Sequence, residues 1–259
     1  MGERNMESNN LTSPSMEISR PGIGSLIVSV FTKPSEAFKH LHKKTDWLIP
    51  FIIIAIVGTI MGHFLQPLFV RDMTPIVMRN MEKYRAMMSE EQYNQVIQQM
   101  ENQRAEAAEG KFKWQTPVFA TILPFIFLVV ITTVCLLTGN FIFGGKAGFW
   151  LVMNVVAFAA LVGLLGDIVR LLMVVAKDSV WVYTGLGILK PIDDGTFLFY
   201  LLRQVDLFTI WRIVVTCIGL GVIYNMKPKR FAFVLFPIWI VFICIIAFAN
   251  MYAMGSIIY

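Results

Sequence analysis

Asp167, Arg170, Asp206 and Arg212 carry full charges within or beside long apolar runs, and His63, Gln66 and Asn250 add polar groups to other runs of the same kind. A charge at the centre of a membrane-spanning helix costs ~2.5–3.5 kcal/mol, so such residues turn toward protein or water and find partners. Three readings stay open for this cluster: snorkelling to the outer interface, an ion-pair network that ties helices together, and a polar pocket that takes a ligand. Arg212 is the deepest charge, with Asp167 or Asp206 as its expected partner. Catalysis is a poorer reading. The chain has no HExxH, GxSxG or P-loop pattern. An aspartyl pair built on Asp167 and Asp206 would have to share one proton, which the neighbouring arginines oppose. His63 has only the amide Gln66 at ligand spacing, so neither a metal nor a cofactor is expected. Gly144-Gly145-Lys146-Ala147-Gly148 lies between two apolar runs and reads as a tight turn rather than a phosphate cradle.

The runs that must position these residues cover about 47–70, 117–143, 149–176, 205–224 and 231–255. Each reaches the ~20 apolar residues that cross ~30 Å of hydrocarbon as a helix. Only helices satisfy the backbone of such runs in lipid. With 56% hydrophobic and 15% charged residues among 259, the chain has too little polar surface for a soluble domain. Cys135, Cys217 and Cys244 all fall inside the runs and read as packing residues. The first 20 residues are polar, so no cleavable signal is expected.

The net charge of +5 sits largely beside the runs, where basic residues set orientation and meet anionic headgroups, so nucleic acid is not an expected partner. Lys33, Lys39, Lys43 and Lys44 precede the first run, Lys146 follows the second, and Lys227, Lys229 and Arg230 follow the fourth. These segments alternate onto one side. The positive-inside rule makes it the cytoplasm, with the N-terminus inside and Tyr259 outside. Asp167 then lies ~27 Å along the third span and Arg212 ~9 Å inward from Asp206. Polar residues of four spans therefore converge in the outer half of the bundle.

Two segments outside the spans read as helical. After a polar, disordered stretch over 1–21, residues 22–45 form an amphipathic segment with Pro34 in the first turn of its second helix. Lys39, Lys43 and Lys44 would hold it on the lipid surface of the cytoplasmic leaflet. The 71–116 stretch reads as an extracytoplasmic helical hairpin, with Thr74-Pro75 opening one arm and the Ser89-Glu90-Glu91-Gln92 capping box the other. Gly110 ends the second arm. Met78, Met81, Tyr84, Met87, Met88, Tyr93, Val96, Ile97 and Met100 recur at helical spacing as a soft face, which either packs locally or docks a partner.

Thr32-Lys33-Pro34-Ser35-Glu36-Ala37-Phe38, then Asp46-Trp47-Leu48-Ile49-Pro50 where the first span begins, resemble the bacterial branch of the Ypt-interacting-protein (Yip) family. Asp206-Leu207-Phe208-Thr209-Ile210-Trp211 and Gly219-Leu220-Gly221 are similar to its later signature. Eukaryotic members carry Asp-Leu-Tyr-Gly-Pro at the first motif, of which Asp46 and Pro50 keep their places. The resemblance implies five spans with a cytoplasmic N-terminus and marks Asp46, Trp47 and Pro50 as a membrane-approach motif. Asp46 reads there as a helix cap and Pro50 as a first-turn residue that needs no N–H donor.

The expected fold is an all-α integral membrane protein of five transmembrane helices, with the hairpin between the first two and the N-terminal amphipathic segment. The membrane domain runs over 46–259. The expected role is a non-enzymatic adaptor or organiser of the bacterial cytoplasmic membrane, partnered by membrane lipids and by proteins at the 71–116 hairpin or the cytoplasmic face. A homo-oligomer remains open. The competing role is a transporter or flippase using the polar cluster as its substrate site, with Pro124 and Pro237 as helix breaks.

Overall fold

The apolar runs fold as helices, and no strand occurs among the described residues. The computed structural model describes residues 21–41, 44–111, 113–189 and 196–255. The expected polar N-terminus, apart from Pro21, and Lys43 lie outside them. In chain order the helices are α1 (Ile23–Thr32), α2 (Pro34–Lys39), α3 (Leu48–Tyr84), α4 (Glu90–Ala108), α5 (Gln115–Leu137), α6 (Phe149–Lys177), α7 (Phe197–Gln204), α8 (Leu207–Ile223) and α9 (Pro228–Gly255).

Four segments among the described residues are long and apolar enough to span a membrane: Leu48–Pro75, Gln115–Ile142, Phe149–Lys177 and Pro228–Tyr252. The expected fourth run is the shorter α8, with 17 residues and a length of ~26 Å. Asp206 fixes its start as N-cap, and Asn225, at φ 51°, turns the chain out of it toward Pro228. α6 is the central helix, burying Val152 through Ala159 on contacts with α3, α5 and α8. α5 and α9 leave Phe119, Ile122, Phe127, Phe233, Val241 and Ile245 exposed. Such a surface suits lipid and would aggregate in water.

Three expectations change. α3 does not stop near residue 70 but continues to Tyr84, with Pro67 and Pro75 inside it, so Thr74-Pro75 opens no new helix. The Thr74 hydroxyl donates to Val70 O at 2.6 Å within that helix, and the missing Pro75 N–H costs one bond without ending the ladder. The Ser89–Gln92 capping box is present as read, and Gly110 adopts φ 64° after α4. α4 itself buries only Ala107 among its described side chains, and Met87, just before it, is 84% exposed.

The second change concerns residues 22–45. α1 and α2 pack into the bundle rather than lying only on lipid. Leu26, Val30, Ala37, Phe38 and Leu41 join the same core as α6 and α8. Phe38 lies against Gly219, where a Cβ would crowd both its ring and Val155. The ring of Phe31 meets Trp211 edge-on at 5.9 Å. Lys39 and Lys44 remain exposed, on the outside of this packed segment.

The third is the start of α3. The cap position falls to Trp47, which supplies no side-chain cap, instead of to Asp46. The Trp47 N–H donates to the Asn154 Oδ1 of α6 at 2.9 Å, so a buried amide of another helix takes the bond. Asp46 and Pro50 are buried beside it, and Trp47 stacks on Trp150. Asn154→Leu removes the acceptor of the partly buried Trp47 N–H, which costs ~1 kcal/mol or more. The variant should therefore melt measurably lower than wild type. Equal melting of wild type and Asn154→Leu would exclude this bond as a support.

Candidate functional site

α6 and α8 run side by side, and small residues on α6 open a gap between them. Gly163 faces the Arg212 side chain and Gly166 faces the Phe208 ring, where a Cβ would come closer than 3.0 Å. Side chains one and two turns on, Asp167 and Arg170, share that edge of α6. The gap widens into a cavity of ≈ 250 Å³ lined by Asp167, Arg170, Asp206 and Arg212. The four charged residues singled out in the sequence are thus brought together.

The rest of the wall was not foreseen. Val182, Tyr183, Thr184, Gly185, Arg203, Gln204, Phe208 and Thr209 complete it, most of them from the connection between α6 and α8. This connection is held by close backbone approach: Gly185 bridges to Asp206, and Leu186 N–H donates to Val205 O at 2.9 Å. Its first corner is tied to α3. There Asp72 accepts from Ser179 Oγ at 3.0 Å and from Val180 N–H at 2.9 Å, while Arg71 pairs with Asp178 at 2.7 Å. The available signal was Arg203-Gln204 at the end of a short apolar stretch, three and two residues before Asp206.

The charges differ in how they are engaged. Asp206 caps α8, accepting from Thr209 N–H at 3.0 Å and from the Thr209 hydroxyl. The Arg203 guanidinium lies over three aromatic faces, at 5.3 Å from Tyr183 and Phe199 and 5.9 Å from Trp181. The expected ion pair of Arg212 with Asp167 or Asp206 does not form: among the described residues no nitrogen–oxygen pair within 4.0 Å joins them. Gly163 lets the Arg212 guanidinium lie along α6 instead, accessible from the cavity. Asp167 and Arg170 are likewise accessible.

His63, Gln66 and Asn250 stand apart from this wall. Asn250 Nδ2 donates to Ile246 O at 2.9 Å within α9, and the His63 ring lies 6.0 Å from Phe64. The glycine turn at 144–148 is no phosphate cradle either. Asn140 clasps Ala147 with both amide atoms at 3.1 and 3.2 Å, and the Tyr224 hydroxyl donates to Asn140 Oδ1 at 2.9 Å. No group of three His, Cys, Asp or Glu suited to a metal occurs among the described residues.

The Yip1 domain profile matches residues 28–249, which include every cavity residue. The chain belongs to the Yip1 domain family. No curated protein and no solved structure matches it. Yip1 family members are generally non-enzymatic membrane proteins. Within this Yip1 domain the stretch from Asp206 to Trp211 has a definite structural role, since Asp206 caps α8 and, with Phe208 and Thr209, forms one wall of the cavity. Gly219 of the later motif is the seat of Phe38.

Proposed function

We propose that this Yip1-domain protein is a non-catalytic organiser of the bacterial cytoplasmic membrane that holds phospholipid headgroups in its Arg/Asp-lined cavity. The observation that carries the reading is the cavity itself, where Arg170 and Arg212 face open space without an ion-pair partner within 4.0 Å among the described residues. Guanidinium groups bind phosphate through paired N–H donors. Leu165 and Leu207, next in the chain to the lining residues Gly166 and Asp206, are exposed, so a lipid could place its headgroup inside while its chains stay in the bilayer.

The full topology belongs to the same reading. α8, at 17 residues, meets the lower limit of ~17 residues for a spanning helix and packs between α6 and α9. It supplies the fifth span, with the N-terminus cytoplasmic, the C-terminus extracytoplasmic and the cavity at the outer leaflet. The polar helix α4 and the exposed Met87 then project outward, as the surface where a protein partner would dock. Transport through the cavity is the weaker alternative, because Pro124 and Pro237 lie inside continuous helices and supply no broken span.

Native mass spectrometry of the purified full-length protein tests the lipid reading. Phospholipid should stay bound after extensive detergent washing, and Arg212→Met should release it while lowering the melting temperature by only a few degrees. Lipid retained equally by Arg212→Met, or none retained by wild type, would remove the cavity as a headgroup site.

A further inference from the structure

The bonding capacity left in the cavity specifies more than a phosphate. Of its five charged residues, Asp206 is spent on the α8 cap and Arg203 on the faces of Trp181, Tyr183 and Phe199. Arg170, Arg212 and Asp167 keep their capacity: among the described residues none has an ion pair within 4.0 Å. Two guanidinium groups and one carboxylate complement a ligand with one diffuse anion and one cation. A phosphate satisfies the arginines bidentately, and an ammonium with N–H donors satisfies the carboxylate. An anion alone would leave Asp167 facing it across the same space, as a like charge.

Resting on the lipid-binding reading, we infer that the cavity selects a phosphate linked to a primary ammonium, the headgroup of an ethanolamine phospholipid, with phosphate on Arg170 and Arg212 and ammonium on Asp167. The aromatic wall decides against a quaternary ammonium. Choline has no N–H for Asp167 and is recognised through aromatic faces, but of the two aromatic side chains that line the cavity Tyr183 is covered by Arg203 and Phe208 is packed against Gly166. A glycerol headgroup brings no cation at all. At ≈ 250 Å³ the cavity has room for a headgroup and too little for whole acyl chains.

Titration of the full-length protein in detergent with dioctanoyl phospholipids tests this, read by native mass spectrometry. The ethanolamine lipid should bind about tenfold more tightly than the choline or glycerol lipid, equivalent to about 1.4 kcal/mol. Asp167→Asn should bring the ethanolamine lipid down to the affinity of the glycerol lipid, while Glu101→Gln, on the exposed surface of α4, should keep the preference. Equal binding of the three lipids, or a preference that survives in Asp167→Asn, overturns the headgroup assignment and leaves lipid binding standing. Binding of none of them overturns both. Soluble O-phosphoethanolamine matching the lipid in affinity would support the headgroup chemistry and remove the bilayer as its source.

Discussion

Gly139→Ala should lower the stability of the purified protein by ~2 kcal/mol. Gly139 lies in the π-turn Thr138–Ile142 that ends the second span, and the Tyr224 ring is wedged between it and Gly145. A Cβ at Gly139 would stand closer than 3.0 Å to the Tyr224 ring and hydroxyl. Alanine for glycine in a helical turn normally gains ~1 kcal/mol. Here that gain is outweighed by overpacking of ~1–3 kcal/mol and by loss of the Tyr224–Asn140 bond, worth ~0.5–1.5 kcal/mol. Cys135 and Cys217 are buried and free, so a thiol-reactive fluorophore reports unfolding directly. Gly139→Ala combined with Tyr224→Ala should cost less than the sum of the two, since both act on one contact. Strict additivity, or wild-type melting of Gly139→Ala, would show that the ring is not packed there.

Gly185→Ala should act on the cavity instead of the bundle. Its Cβ would come closer than 3.0 Å to Val205 O and Asp206 Cα, and both are backbone atoms with no rotamer to yield. The Gly185–Asp206 bridge and the Leu186–Val205 bond must open, taking Tyr183 and Thr184 off the cavity wall. The core of α6 and α8 below is untouched, so helical content should hold and the melting temperature should fall only slightly. Limited proteolysis reads the open population of a segment. Cleavage within 178–206 should rise about tenfold, as a shift of ~1.4 kcal/mol implies, and bound lipid should be lost. Unchanged cleavage in Gly185→Ala would mean that the connection is not held by this close approach.

The two glycines show where sequence reasoning stopped. Neither residue type nor hydropathy at 139 or 185 indicates what lies opposite, because the crowding atoms come from residues 224 and 205–206. Asn154 is similar. An asparagine in an apolar run announces a polar partner, but not that the partner is the Trp47 N–H, 107 residues away. The N-terminal segment shows a different limit. The apolar face of α1 and α2 is legible in the pattern, yet lipid and a helix bundle are equally apolar hosts, and only Gly219 with its room for Phe38 decides for the bundle.

The all-α membrane character, the family, the long apolar helices and the capping box at Ser89 were legible in the sequence alone. These follow from composition, local periodicity and the high cost of charge in hydrocarbon, which act over a few residues or on each residue alone. Tertiary structure decided the rest: the continuation of α3 through Pro75, the separation of His63, Gln66 and Asn250 from the cavity, and the wall contributed by the connection between α6 and α8. It also decided that Asp206 and Arg203 are spent locally while Asp167, Arg170 and Arg212 face open space. Depth along a helix can be counted from the sequence, but the face a side chain presents to its neighbours depends on helix rotation, and rotation is set by packing between segments distant in the chain.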